Sequence, residues 1–151
     1  MKIWVDADSC PVRIREIICK ASKRINRPAV FTANRPIPLP QFNTVAMVVT
    51  GNTEQAADTY IIEHALPYDL AVTRDIPLAK QLVDKGVCVI NDRGTHFTKD
   101  TINTFLSSRN FMYELHQNGI HPDRTGSFGK RDIQKFSHLL DSVLVTLLRN
   151  E

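Results

Sequence analysis

The stretch from Asp69 to Asp92, DLAVTRDIPLAKQLVDKGVCVIND, decides the fold. Its apolar run at 69–73 predicts a strand, and Asp75, followed closely by a proline, predicts the start of a helix. Gly86 stands where a left-handed glycine ends a helix, and a second apolar run follows at 87–90. A strand, a helix and a second strand in this order predict a βαβ unit with parallel strands.

The same alternation fills the chain before this unit. Apolar runs predict three more strands, at Lys2–Val5, Ala29–Thr32 and Val45–Thr50. Helical spacing predicts one helix that ends near Ile25 and another over 55–65. Ser9 is the expected N-cap of the first helix, and Pro11 suits its first turn. The run VAMVVT at 45–50 is almost entirely apolar, which is typical of a strand covered on both faces.

The chain after the unit reads as turns and helices. The segment 91–94, NDRG, predicts a turn, and helices are expected at 100–107 and 109–117. Three glycines, a proline and several charges indicate a mobile segment at 118–130. A final helix over 132–148 has an apolar stripe suited to the core.

These elements predict one α/β domain covering 1–151. We expect a three-layer sandwich, in which a mostly parallel central sheet carries helices on both faces. The chain has 151 residues, of which 42% are hydrophobic and 23% charged, as in an ordinary globular domain. Nothing in the sequence predicts an oligomeric state.

The cysteine content and the length of the apolar runs indicate the cellular compartment in which the protein is expected. The three cysteines lack C-x-x-C spacing, which argues against a disulfide framework or a structural zinc site. The N-terminus does not read as a signal peptide, and no apolar run reaches membrane-spanning length. We therefore expect a cytoplasmic protein with no membrane partner.

Acidic residues follow several of the predicted strands. Asp6 and Asp8 follow the first strand, Asp58 lies in the helix after the third, and Asp75 follows the fourth. Because the carboxyl ends of parallel strands share one edge of a sheet, we expect these carboxylates to lie close together. Oxygen ligands of this kind suit Mg²⁺ or Mn²⁺. Each Asp at a helix start could instead simply cap that helix.

Basic residues flank the same edge. The first helix carries Arg13, Lys20 and Arg24 on its polar face, and the net charge of +3 permits a polyanionic partner. Such a face is equally consistent with simple solvation. Arg13, Arg74, Lys80 and Arg93 are candidates to neutralise a phosphate group.

Several motifs resemble those of a known family. The opening WVDADSCPV, the stretch AADTYII, the stretch DLAVTRDIPLA and the NDRG turn resemble the bacterial YaiI/YqxD family of uncharacterised proteins. The resemblance covers nearly the whole chain. That family is itself similar to PIN-like domains, which are Mg²⁺- or Mn²⁺-dependent ribonucleases. The resemblance implies a PIN-like fold, an RNA substrate, and acidic positions at Asp6, Asp58 and Asp75, with Asp8 as an additional member.

The chain departs from the family pattern at three places. Gln55 stands where an acid is expected, Asp92 stands where a proline is common, and the segment 125–127 is a reduced form of a glycine-proline motif. With these departures, the resemblance still implies metal-assisted hydrolysis of phosphodiesters. In that mechanism Asp6, Asp58 and Asp75 are the catalytic residues, and they hold the metal together with Asp8.

Two other functions fit the same residues. Asp6-Ala7-Asp8 matches the start of an aspartyl-phosphate phosphatase of the haloacid-dehalogenase type, with the first Asp as nucleophile. The other alternative is a non-catalytic RNA-binding protein with a degenerate site. RNA binding that survives mutation of the acids would distinguish the binder from the nuclease.

Overall fold

The computed structural model describes residues 1–8, 10–53, 55–108 and 128–151. The strands are β1 (Ile3–Asp6), β2 (Ala29–Ala33), β3 (Val45–Val49), β4 (Leu70–Val72), β5 (Cys88–Ile90) and β6 (His96–Phe97). The helices are α1 (Val12–Ile25), α2 (Ala56–His64), α3 (Ile76–Asp84), α4 (described over 102–108) and α5 (Lys130–Arg149). The expected helix at 109–117, most of the segment 118–130, the motif at 125–127 and the expected cap Ser9 lie outside the described residues.

The strands form one sheet in the order β3-β2-β1-β4-β5-β6. The first five are parallel, and β6 pairs antiparallel with β5 through Val89–Phe97 and Ile90–His96. The predicted mostly parallel α/β sheet is therefore confirmed. β6 was not predicted, because a strand of two residues gives no periodic signal.

Helices cover both faces of the sheet. On one face, α1 and α5 pack in a buried cluster that includes Ile18, Phe31 and Phe136. On the other face, α2, α3 and α4 pack in a second cluster that includes Ile61 and Leu82. Successive residues of β1 enter opposite clusters, as the two-residue period of a strand requires. This arrangement is the predicted three-layer sandwich.

The prediction that β3 is covered on both faces was wrong. β3 lies at the edge of the sheet, and its burial is only partial along its whole length. Val45 and Met47 pack against the cluster that contains α1, whereas Ala46 and Val49 are exposed. An apolar run reports that a strand is hydrophobic, but the position of that strand in the sheet depends on its neighbours.

The start and end of α3 follow the predicted signals. Asp75 is the N-cap, and its Oδ1 accepts a hydrogen bond of 3.0 Å from the backbone N–H of Leu78. Gly86 follows the helix with a φ of +90°, a conformation that glycine adopts without a steric penalty. At the start of α1, Pro11 occupies the N-cap position with no side-chain cap bond. No helix within the described parts of the chain is long and apolar enough to cross a bilayer.

Candidate metal centre at the carboxyl edge of the sheet

A threonine joins the carboxyl ends of the two central strands. Asp6 is the last residue of β1, and its Oδ2 accepts a hydrogen bond of 3.0 Å from Thr73 Oγ1. The same hydroxyl oxygen accepts a hydrogen bond of 3.0 Å from the backbone N–H of Asp75. Since β1 and β4 are neighbours in the sheet, this bridge fixes Asp6 and the start of α3 relative to one another.

Asp58 approaches this bridge from the first turn of α2. Burial raises the pKa of its carboxyl group to about 7, with further contributions from the charges of Asp75, Asp6 and Asp8 and from a hydrogen bond to Asp75. A carboxyl group that shares a hydrogen bond with a carboxylate must keep a proton. The hydrogen bond to Asp75 therefore favours the protonated form of Asp58.

Burial also raises the pKa of Asp6. The hydrogen bond from Thr73 opposes this effect, the charges of Asp75 and Asp8 add to it, and the charge of Arg74 opposes it. Asp8 is exposed, and its Oδ1 lies 3.4 Å from the backbone N–H of Asn34. The structure thus brings together all four acids that the sequence placed at this edge, and Asp6, Asp8 and Asp75 are each near enough to influence the pKa of Asp58.

The four carboxylates form an electrostatic cluster but not a finished coordination sphere. Within the described residues, no group of three or more His, Cys, Asp or Glu side chains is arranged to hold a metal ion. Mutual repulsion of like charges opposes any convergence of the carboxylate oxygens on one point. The donor set itself fits Mg²⁺ or Mn²⁺, because all four members are carboxyl groups that supply oxygen.

Arg74 brings a positive charge to this cluster. It forms an ion pair with Asp92, which is 5% exposed, and its charge favours the ionised form of Asp6. Asp92 and Arg74 line a small cavity together with Asp6, Cys10 and Thr73. Burial, with the charge of Asp92, raises the pKa of Cys10 to about 12, so this thiol stays protonated and is no nucleophile at neutral pH.

The other predicted phosphate-binding residues have partners elsewhere. Arg93 lies 3.5 Å from Asp132 Oδ2, and its guanidinium lies 5.7 Å from the centre of the Phe128 ring. Arg13 pairs with Glu16 at 3.4 Å, and Lys80 pairs with Asp84 at 3.1 Å, each between neighbouring turns of one helix. These are exposed or half-exposed pairs of the kind that contribute little to stability, so a phosphate group could displace them.

The sequence matches one family model along almost its whole length. The model is described as "Uncharacterized BCR, YaiI/YqxD family", and it matches residues 4–146. The chain belongs to the YaiI/YqxD family. Its similarity extends to a UPF0178 protein of Treponema denticola, which is 66% identical over 99% of this chain and 95% of its own length.

More distant relatives align with nearly the whole of this chain. A UPF0178 protein of Treponema pallidum is 50% identical over 99% of this chain and 84% of its own length. One of Myxococcus xanthus is 44% identical over 100% of this chain and 99% of its own. No solved structure matches the chain. Membership of the YaiI/YqxD family thus agrees with the motifs, and the chemistry of this family member has to be argued from its own site.

Two features of this YaiI/YqxD protein were not predicted. Thr73 joins Asp6 to Asp75, whereas the sequence predicts it only as the end of a strand, although a hydroxyl close to two acids is a recognisable signal. The second feature is a cleft of about 550 Å³ beside the cluster. Its lining residues are Gln55, Asp58, Thr59, Ile62, Asp75, Pro77, Leu78 and Gln81. This acidic cleft opens the Asp58–Asp75 pair to a ligand.

Proposed function

We propose that this protein is a Mg²⁺- or Mn²⁺-dependent hydrolase of phosphodiesters, acting on RNA. The observation that carries the proposal is the placement of Asp6, Asp58 and Asp75 at one edge of the sheet, where Thr73 joins Asp6 to Asp75 and an open cleft is lined by Asp58 and Asp75. Asp58 has three acidic neighbours, Asp75, Asp6 and Asp8, and a divalent ion would relieve their mutual repulsion. Perturbed acids beside an open cleft are typical of functional sites.

Four acids have assigned roles in this proposal. Asp6, Asp58 and Asp75 would hold the ion or ions, and Asp8 would assist from the exposed side. The chemistry that such an ion supplies is polarisation of a phosphoryl oxygen and activation of water as the nucleophile. The protein's part is to fix the acids, which it does through the Thr73 bridge and through the cap of α3.

Arg74 is the residue best placed to bind the phosphate. It lies at the edge of the cluster, and its partner Asp92 holds the guanidinium beside Asp6. A planar guanidinium can bind two phosphate oxygens, and it stabilises the charge that develops there during hydrolysis. Arg13, Lys80 and Arg93 would bind phosphates further along the substrate. RNA as the polymer rests on the resemblance to PIN-like ribonucleases.

The test is the Asp75→Asn variant with single-stranded RNA and Mn²⁺. Asparagine is nearly as good an N-cap as aspartate, so α3 keeps its cap while the site loses a charge. We expect activity to fall by about a hundredfold or more with the fold unchanged. The matched control is Asp141→Asn, which should keep full activity. Asp141 lies on α5 and forms an exposed ion pair with Arg24 of α1, away from the acidic cluster.

The outcomes separate the candidate functions. Equal activity in wild type and Asp75→Asn would contradict the proposal and point to a contaminating nuclease. Activity in neither protein, with RNA still bound by both, would favour the non-catalytic RNA-binding protein.

A further inference from the structure

A second groove adjoins the acidic cleft, on the side of the edge strand. It lies between β3 and α2, has a volume of about 760 Å³, and shares Gln55 and Thr59 with the lining of the acidic cleft. We call it the β3–α2 groove, and its main walls are Val48, Val49, Thr50, Thr53, Thr59 and Tyr60. Because two lining residues are common to both, a ligand can extend from one into the other.

Three consecutive residues of α2 divide the two spaces. Asp58 lines the acidic cleft, Tyr60 lines the β3–α2 groove, and Thr59 between them lines both. Successive helical residues point about 100° apart, so this order follows from the sequence Asp-Thr-Tyr in a helix. The acid and the aromatic residue are two helical positions apart, so rigid helix fixes their separation along the axis at about 3 Å.

The chemistry of the β3–α2 groove differs from that of a phosphate site. Its described lining residues include no lysine or arginine, and their only ionisable acid is Glu63. They offer apolar surface from Val48 and Val49 and hydroxyl groups from threonines. A phosphate group would gain no charge partner here, whereas a flat neutral ring with polar edges would gain both packing and hydrogen bonds.

The ring of Tyr60 is held in place from behind. It stacks on His64 with the ring centres 4.0 Å apart, and it meets Trp4 edge-on at 6.2 Å. Trp4 is anchored in turn, because its indole N–H donates a hydrogen bond of 3.0 Å to Asp69. A ring fixed in this way loses little conformational freedom when another ring stacks on it.

The edge strand supplies the remaining partners. Within the parts of the chain that the structure describes, β3 pairs with one strand only, β2, so backbone groups on its other side can serve as hydrogen-bond partners for a ligand. Backbone groups at a strand edge can hydrogen-bond the polar edge of a nucleobase, which both donates and accepts.

From these observations we propose that the β3–α2 groove binds a nucleobase of a single-stranded nucleic acid whose adjoining phosphodiester lies in the acidic cleft. The proposal rests on the proposed phosphodiester hydrolysis, and it adds the part of the substrate that is recognised. It makes the protein selective for strands that carry bases over a bare sugar-phosphate chain.

The test compares a single-stranded RNA with an abasic strand of the same length. Binding is measured by fluorescence anisotropy without metal, and cleavage is measured with Mn²⁺. Tyr60→Ala should weaken binding of the RNA about tenfold and leave the abasic strand unchanged, whereas Tyr60→Phe should bind as wild type does. Tyr68→Ala is the matched control, since Tyr68 is exposed next to Asp69 at the opposite end of the sheet.

A second variant guards against misfolding of Tyr60→Ala. Gly51 lines the groove, and a Cβ atom built on it meets nothing within 4 Å. Gly51→Leu should therefore fold normally and occupy the groove, weakening RNA binding several-fold with no effect on the abasic strand.

Three results would overturn the inference. One is equal weakening of both strands, and another is no weakening by either variant. The third is a change in oligomeric state, which would make the groove an interface with a second copy. Selective base binding without cleavage by the wild type would refute the proposed hydrolysis and leave the base-binding groove standing.

Discussion

The two ends of the sheet surround a carboxyl group with opposite kinds of neighbour, hydrogen-bond donors at one end and other acids at the other. At the amino end, Asp69 is buried and accepts hydrogen bonds from Lys2 N, Trp4 Nε1 and Leu66 N at 2.9–3.0 Å. At the carboxyl end, Asp58 is less buried than Asp69; burial nevertheless raises its pKa to about 7, and the charges of Asp75, Asp6 and Asp8 add to that rise. The first carboxylate has three donors, and the second has three like charges.

This difference separates a structural acid from a functional one. Three hydrogen bonds from two chain segments compensate the desolvation of Asp69, so its charge helps to fix the amino ends of β1 and β4. At Asp58 the folded chain supplies repulsion instead, and such a cost persists in a protein when the site serves a ligand. Asp69 is the more buried of the two, so burial alone would select the structural acid instead of the functional one.

The largest expected effect is on stability at the amino end. Asp69→Ala leaves three donors without their acceptor, two of them backbone N–H groups, and should destabilise the protein by roughly 3 kcal/mol. Asp58→Ala removes a repelled charge and should leave stability at pH 8 unchanged or slightly increased. Urea denaturation of both variants measures the difference. Equal destabilisation by both substitutions would contradict the view that Asp69 stabilises the fold and Asp58 does not.

Divalent ions should act on the carboxyl end alone. At about 100 times its dissociation constant, Mg²⁺ or Mn²⁺ should stabilise the folded protein by about 2.7 kcal/mol, or roughly 5–10 °C in Tm. Asp6→Asn should lose most of this shift, and Asp141→Asn should keep it. Differential scanning calorimetry with and without the ion measures both. An undiminished shift in Asp6→Asn would show that the ion binds elsewhere.

The pH dependence of stability should come from the same end. The pKa of Asp58 is about 7 in the folded protein against an ordinary value of 3.8, so the folded state binds more protons between these values. Stability of the metal-free protein should therefore fall as pH rises from about 4 to about 7. Because Asp58 is partly exposed, screening limits the change to roughly 1–2 kcal/mol. Asp58→Asn should flatten the profile, and an unchanged profile would contradict the raised pKa.

Local signals in the sequence were enough for most of the fold. The cap at Asp75 and the glycine at Gly86 predicted α3 correctly, because both act within one turn of the chain. Strand order is not local, so the edge position of β3 could not be read from its apolar run. β6 is recognised as a strand by its pairing with β5, because two residues are too few to show the alternating pattern of a strand.

For the candidate site, too, local features could be predicted from the sequence and long-range contacts could not. The rule that parallel strands end at one edge placed Asp6, Asp8 and Asp75 near one another. It did not place Arg74 on Asp92 or Tyr60 beside the groove, because these contacts depend on side-chain directions across elements distant in sequence. The sequence therefore identified the acids, and the structure was needed to find what surrounds them.

The smallest expected effect concerns the basic face of α1, which runs from one end of the sheet to the other. Arg13 begins this face beside the carboxyl end, and Arg24 ends it, paired with Asp141 at 3.0 Å. Eleven helical residues separate them by about 16 Å. If RNA binds at the carboxyl end, Arg13→Glu should lower the slope of log affinity against log salt by about 0.7, the value of one phosphate contact on a single strand. Lys20→Glu should have a smaller effect, and Arg24→Glu should have none.

The measurement is RNA affinity at several salt concentrations for each variant. Equal slopes for the Arg13 and Arg24 variants would mean that the RNA follows the whole helix, and reversal of all three charges without loss of affinity would remove α1 from the interface.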